Sequence, residues 1–197
     1  LNVLWANAEH GSQTLANVSK LAIKLGNDVK LPAVSAKGAA DAMLQLGKAG
    51  FSVQQSMDSA RATLLLATAA EIDGAMAAKV VTQNMRAFGL VSNDSVKNIK
   101  NVNAVVDEMA GFLSATGTTF DQFTTSLEYG AGPAKTVGQS FGDTATQLAL
   151  LSQRGVEGDK AGTGLRMMLT ALGSTTSKAS KTLAKMGIDT QDAQGKF

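Results

Sequence analysis

Hydrophobic residues recur three and four positions apart along most of the chain, with polar residues between them. One such stripe joins Val53, Met57, Ala60 and Leu64. This spacing places the hydrophobic side chains on one face of an α-helix. Further stripes follow within residues 77–88, 99–113, 120–127, 141–151, 161–172 and 183–186, and the pattern is weaker before residue 50. No strand-like alternation of useful length occurs. The chain is therefore predicted to be all-α, a compact bundle of about eight short helices.

One segment of the sequence returns 84 residues later. Residues 72–78 read IDGAMAA and residues 156–162 read VEGDKAG, and the similarity extends over about residues 50–90 and 138–173. Each copy contains a helix, a tight acidic-glycine corner and a second helix, so the sequence predicts two similar helical hairpins. At the corners, Gly74 and Gly158 are expected to have a positive φ or crowded surroundings. After the second helices, Gly89 and Gly173 are expected to close each helix in the left-handed conformation.

Capping residues mark three predicted helix starts. A capping residue whose side chain meets the backbone three positions later satisfies amide groups that the helix leaves unpaired. This spacing occurs in the pairs Ser52 and Gln55, Thr118 and Asp121, and Ser140 and Asp143.

The weaker pattern near the start predicts an N-terminal helical arm, residues 1–30, and a main body, residues 31–197, with a boundary within Asn27–Ser35. We expect the chain to be part of a longer protein.

Composition excludes several classes of function. The chain has no Cys, which excludes disulfides, zinc–thiolate sites and thiol nucleophiles. Its net charge of +2 is nearly balanced, so a sequence-specific nucleic-acid surface is not expected. No apolar run approaches the 20 or so residues of a membrane span, so no membrane contact by this chain is predicted. No secretion signal is visible at the first residues.

Candidate catalytic residues have simpler structural explanations. His10 is the sole histidine, and we expect it to be a solvated surface residue. No His, Asp and Glu cluster has the spacing of metal ligands. Glycoside cleavage requires a buried acid, and each candidate carboxylate is better explained as a helix cap, a dipole partner or a solvated residue. These carboxylates are Glu71, Asp73, Asp107, Glu108, Glu128 and Glu157. The sequence therefore predicts no catalytic residue, no cofactor and no metal site. The glycines of Gly162–Arg166 lack the rest of a phosphate-binding motif and are expected to allow close helix packing.

A longer stripe could serve either the core or a partner. A hydrophobic seven-residue repeat runs over two heptads, which is too short to establish a coiled coil. Its residues are Ile99, Val102, Val106, Met109 and Leu113. Burial inside the bundle is the first interpretation. The second is a partner seam, meaning that these five residues would contact another copy of the chain in a homo-oligomer.

Several longer strings are similar to one family. They are AMLQLGKAGFS at residues 42–52, LATAAEID at 66–73, NMRAFGL at 84–90, residues 127–169 with LALLSQRG and KAGTGLR inside them, and LAKMGIDTQDAQGKF at 183–197. From about residue 31 onward the chain resembles the core region of phage tail tape measure proteins. One departure is YGAGP at residues 129–133, which carries a residue or two more than the family pattern and should lengthen a turn there.

The resemblance implies a role in the virion of a phage or prophage. Such proteins are mostly helical, occupy the tail lumen and set tail length while tube subunits polymerise around them in the host cytoplasm. The implied partners are the tail tube protein, tail assembly chaperones, baseplate or tail-tip proteins, and further copies of the chain. The implied function is structural, in tail assembly, length determination and genome delivery, without catalysis. The alternative is a cell-wall hydrolase or a membrane-active segment used during genome entry. A third interpretation is a generic helical interaction module.

Overall fold

Every regular element of the described chain is an α-helix. The computed structural model describes residues 11–174 and 176–190, with side chains from residue 14 onward. Within these ranges no residue is in a β-strand. The all-α prediction is confirmed, with nine helices in the described part where about eight were expected. The helices are α1 Gly11–Gly26, α2 Ala36–Lys48, α3 Val53–Ala69, α4 Gly74–Ala87, α5 Ser95–Thr116, α6 Phe120–Thr136, α7 Phe141–Ser152, α8 Gly158–Gly173 and α9 Lys178–Lys185.

Local side-chain contacts explain where the helices begin. Ser52 accepts a hydrogen bond from the Gln55 amide at 3.2 Å, and the Gln55 side chain accepts one from the Ser52 amide at 2.8 Å. Ser140 and Asp143 form the same reciprocal pair, so two of the three predicted capping boxes are confirmed. The predicted pair Thr118 and Asp121 is wrong by one residue. Thr119 caps α6 instead, and the Gln122 side chain accepts from the Thr119 amide at 3.2 Å.

The chain divides into two compact units, Leu1–Ala110 and Gly111–Phe197, and the division falls inside α5. In the first unit, α1 packs on α2 and α3, and α2 packs on α3 and α4. The described part of the predicted arm is thus packed into the first unit. Its apolar face, Val18, Ala22 and Leu25, is 4 % exposed or less. The expected boundary at Asn27–Ser35 lies within the first unit and stays a prediction.

The second unit repeats the core of the first. Its closest helix pair is α6 with α8, as α2 with α4 is in the first unit. α6 and α8 begin 84 residues after α2 and α4. The two hairpins, α3–α4 and α7–α8, have equivalent hydrogen bonds at their corners. The Ile72 amide donates to the Ala67 carbonyl, and the Val156 amide donates to the Leu151 carbonyl, each at 3.0 Å. The structural repeat therefore includes the helix before each hairpin as well as the hairpin itself.

The YGAGP segment is helical, so the expected longer turn is wrong. Residues 129–133 lie inside α6, which has 17 residues where α2 has 13. Pro133 lies in the last turn of the helix, where its missing N–H removes the single bond to the carbonyl of Tyr129, and its own carbonyl still accepts from the Val137 amide at 3.1 Å. The additional residues therefore lengthen a helix, and Gly130 among them packs against Leu165: a Cβ atom on Gly130 would lie 3.2 Å from the Leu165 Cδ2 atom.

Candidate functional site

The two corner glycines are constrained in different ways. At Gly74 a Cβ atom would lie 2.7 Å from the Leu64 Cδ2 atom and 3.0 Å from the Gly38 carbonyl oxygen. At Gly158 the space is open, but the backbone has a φ of +59°. An L-residue with a side chain is strained in that conformation. Each corner therefore favours glycine, one because of crowding and the other because of its backbone angle.

The glycines at the ends of α4 and α8 also differ. Gly89 follows α4 with a φ of +67°, as expected for a residue that closes a helix. Gly173 is the last residue of α8 and does not have a positive φ, so the left-handed closure expected there is wrong. A Cβ atom at Gly173 would lie 2.7 Å from the Val137 Cγ1 atom. This glycine allows close packing rather than a reversal of the backbone.

Close packing is most pronounced between α6 and α8. A Cβ atom on Gly162 would lie 2.3 Å from the Ser126 carbonyl oxygen, which confirms the predicted packing role of this glycine. On the same face, the Ser126 hydroxyl donates to the Gly158 carbonyl at 2.9 Å. Small side chains let the backbones approach, and the hydroxyl satisfies a carbonyl at the start of α8.

Sequence reasoning missed the α6 side of this contact. Ser126, Gly130 and Ala134 are small, spaced four residues apart and buried. Four-residue spacing places side chains on one helix face. That signal was present in the sequence, but it pointed to no particular partner helix.

Among the candidate catalytic carboxylates, Glu157 lines an open depression. It is half-buried, and its Oε2 atom accepts a hydrogen bond from the Gln122 side chain at 2.9 Å. Asp121 and Asp159 line the same open depression of about 460 Å³ and are exposed. Glu157 occupies the N-cap position of α8 without capping its amides. Its contact with Gln122 joins the starts of α6 and α8, which is a structural role.

The other candidate carboxylates lie on the surface. Asp73 caps α4 by accepting from the Met76 amide at 2.8 Å. Glu71 is exposed and has a φ of +56° at the corner between α3 and α4. Asp107, Glu108 and Glu128 are exposed. A solvated carboxylate lacks the apolar surroundings that raise the pKa of a general acid.

The described residues form neither a metal-ligand cluster nor a helix that could span a membrane. No group of three or more His, Cys, Asp or Glu side chains there is arranged to hold a metal ion. None of the described helices combines the length and the apolar character required to cross a membrane. His10 lies outside the described residues.

The candidate partner seam lies on α5. Val102, Val106 and Met109 are 5 % exposed or less, and Ile99 and Leu113 are half-buried. The stripe therefore does not form a continuous exposed surface. A homo-oligomer contact through these residues stays a prediction, and it would require their present contacts to open.

One surface ion pair perturbs a carboxylate. Arg61 on α3 donates a hydrogen bond to Asp28 in the connection after α1. This bond, together with the Lys30 amide that donates to the same carboxylate, lowers the pKa of Asp28 below its ordinary value. The pair is partly exposed, so it fastens the α1–α2 connection weakly.

Comparison with known proteins gives a consistent result. A family model described as phage-related minor tail protein matches residues 19–197. The chain is 30 % identical over 184 residues to the tape measure protein of Pneumococcus phage Dp-1 and 32 % identical over 184 residues to the probable tape measure protein of Escherichia phage P2. Each alignment covers 93 % of this chain but 15 % and 21 % of those proteins, so the chain spans about a fifth of their length or less. No solved structure matches the chain significantly.

Proposed function

Because this chain belongs to the phage-related minor tail protein family, we propose that it is a structural region of a tape measure protein. The observation that supports this role is the similarity of 93 % of the chain to two tape measure proteins. In this role the chain acts mechanically, in tail assembly, tail length determination and genome delivery. The described helices suit a mechanical role because their polar side chains cap helices or join them, as Ser126, Asp73 and Glu157 do.

The proposed location is the lumen of the tail. There the chain would meet the tail tube protein, other copies of itself, and baseplate or tail-tip proteins, and during assembly it would meet tail assembly chaperones. A role in length determination depends on how far the chain extends along the tail. A continuous helix of residues 31–197 would span roughly 250 Å at 1.5 Å per residue. The described helices instead have 8 to 22 residues and reverse at tight corners.

We infer that these units contribute less length than a continuous helix would. The test is an in-frame deletion of residues 31–197 in the phage gene that encodes this chain, with tail lengths measured by electron microscopy. If the units are compact in the tail, the tails that form should be shortened by much less than the roughly 250 Å of the extended helix. Intact tails shortened by the full helical length would contradict this inference.

The tape measure role has a separate test. Disruption of the whole gene should abolish tails of uniform length, while complementation with the intact gene should restore them. Tails of normal number and length in the disrupted phage would show that the protein has no role in measuring length.

A further inference from the structure

Helix α5 is shared between the two compact units. Residues 95–110 belong to the first unit and residues 111–116 to the second. With 22 residues, α5 is the longest of the described helices. The closely packed helix pairs of the described chain, such as α2 with α4 and α6 with α8, do not include α5. The shape of α5 at the boundary is therefore set chiefly by the hydrogen bonds of the helix itself.

The part of α5 before the boundary is attached to the first unit. The Gln55 side chain on α3 donates a hydrogen bond to the Ser95 hydroxyl at 3.1 Å. The Asn101 side chain donates another to the Leu90 carbonyl, just after α4. These two bonds join residues 95–110 to the first hairpin and to the residues that follow it.

The part of α5 after the boundary is attached to the second unit. The Phe112 ring stacks on the Phe123 ring of α6, with the two ring centroids 3.8 Å apart. The Gln153 side chain, just after α7, donates a hydrogen bond to the Ala115 carbonyl at 3.3 Å. Because Phe112 is only the second residue past the boundary, the two attachments leave a single residue, Gly111, between them and the first unit.

Nothing around Gly111 requires a glycine. It is exposed, its backbone is helical without a positive φ, and no atom lies within 4 Å of its added Cβ position. Alanine would fit there and would favour the helix more strongly. The neighbours on the same helix face, Asp107, Glu108, Ser114 and Ala115, are exposed as well, so water reaches this side of the backbone. Gly111 therefore weakens α5 at the boundary without serving a close contact or a reversal of the chain.

Two other helical glycines show why the position of Gly111 matters. Gly132 and Gly164 also have open space around an added Cβ atom. They lie in α6 and α8, which pack closely against each other, so a neighbouring helix supports the backbone at both positions. Gly111 lies in a helix that has no such close neighbour.

We propose that Gly111 is a hinge at which α5 bends, so that residues 95–110 move with the first unit and residues 111–116 with the second. A bend at this point opens the hydrogen bonds from the amides of residues 112–115 to the carbonyls of residues 108–111. Glycine lowers the cost of opening them, and water at the exposed face replaces the lost bonds. The hinge adds a conformational property that the tape measure role by itself does not imply.

Spin labels on the purified chain test the hinge. The chain has no Cys, so labels can be attached at Lys79→Cys on α4 and Lys160→Cys on α8, both at exposed positions in different units. Double electron–electron resonance should give a broader distance distribution for this pair than for Lys24→Cys with Lys79→Cys, which lies within the first unit. Gly111→Ala should reduce the bent population by about fivefold and narrow the first distribution, because alanine favours the closed helix.

Two matched substitutions locate the hinge. Gly164→Ala adds the same methyl group to an exposed helical glycine within the second unit and should leave the distribution between units unchanged. Ala104→Gly weakens α5 at an exposed position within the first unit and should not broaden that distribution, since residues 95–110 are attached there. Broadening by Ala104→Gly would show that any weak point in α5 is sufficient, and it would overturn the assignment to Gly111.

Three other results would also overturn the proposal. The first is a distribution between units as narrow as the one within the first unit. The second is equal breadth with and without Gly111→Ala. The third is dimerisation of the unmodified chain in sedimentation that Gly111→Ala abolishes, since Gly111 would then serve a close contact between two copies. These measurements use the purified chain, so their failure is distinguishable from failure of the role in the tail.

Discussion

The contact between α6 and α8 can be tested by adding a single methyl group. In Gly162→Ala the new Cβ atom would lie 2.3 Å from the Ser126 carbonyl oxygen and 2.8 Å from the Tyr129 Cβ atom. Neither neighbour can rotate away, because one is backbone and the other is the first atom of a side chain. The two helices would have to separate by roughly an ångström. That separation would stretch the bond from the Ser126 hydroxyl to the Gly158 carbonyl.

Three energies decide the expected destabilisation. Overpacking a close contact costs about 1–3 kcal/mol. Weakening the Ser126 hydrogen bond costs about 1 kcal/mol. The higher helix propensity of alanine returns about 1 kcal/mol. The free energy of unfolding should therefore fall by about 1–3 kcal/mol, and for a cooperative unit of this size each kcal/mol lowers Tm by about 4–8 °C.

Gly164→Ala is the matched control on the same helix. Gly164 is exposed, and no atom lies within 4 Å of its added Cβ position. Its free energy of unfolding should rise by up to about 1 kcal/mol through helix propensity. Urea denaturation followed by circular dichroism compares both variants with the unmodified chain. If Gly162→Ala is as stable as Gly164→Ala, the close approach of α6 and α8 is not present in solution.

Three other substitutions test local features. Gly158→Val should lower Tm, because a β-branched residue is strained at a φ of +59°, and an unchanged thermal melt would remove the structural role assigned to this glycine. Glu71→Gly should raise the free energy of unfolding by about 0.5–1 kcal/mol, because glycine relieves the strain of a φ of +56°; a less stable variant in urea would contradict this reasoning. Arg61→Gln should raise the pKa of Asp28 towards its ordinary value of 3.8, as measured by an NMR titration. Because folding lowers the pKa of Asp28, the ion pair stabilises the fold above about pH 3.8. This contribution is lost as the pH falls through the pKa that Asp28 has in the folded chain. The free energy of unfolding of the variant should therefore differ least from that of the unmodified chain in acid.

The candidate site was predicted in part. The Gly158 corner and the helix caps could be found because their causes are local. Asp73 caps α4 with an amide three residues away, and Gly158 has a backbone angle that few other residues adopt. The partner of Glu157 could not be found, because Gln122 is 35 residues away and the sequence does not say which helices meet. The burial of Val102, Val106 and Met109 was one of two open interpretations, since the same stripe fits a core and a partner contact.

The sequence by itself determined the helical class and the two hairpins, through its hydrophobic spacing, its capping pairs and its repeat at 84 residues. Helices and tight corners can be found in this way because they depend on contacts between residues a few positions apart. Three results depended on the tertiary structure. Pro133 lies within α6, and Gly130 on the same helix packs against Leu165 of another helix. The division into units falls inside α5, although α5 is continuous in sequence and in backbone. Finally, the two hairpins share their pattern, yet Leu66 is buried and Leu150 is exposed. Burial is set by whatever element lies across the helix, and a repeated sequence cannot specify a neighbour that is not repeated with it.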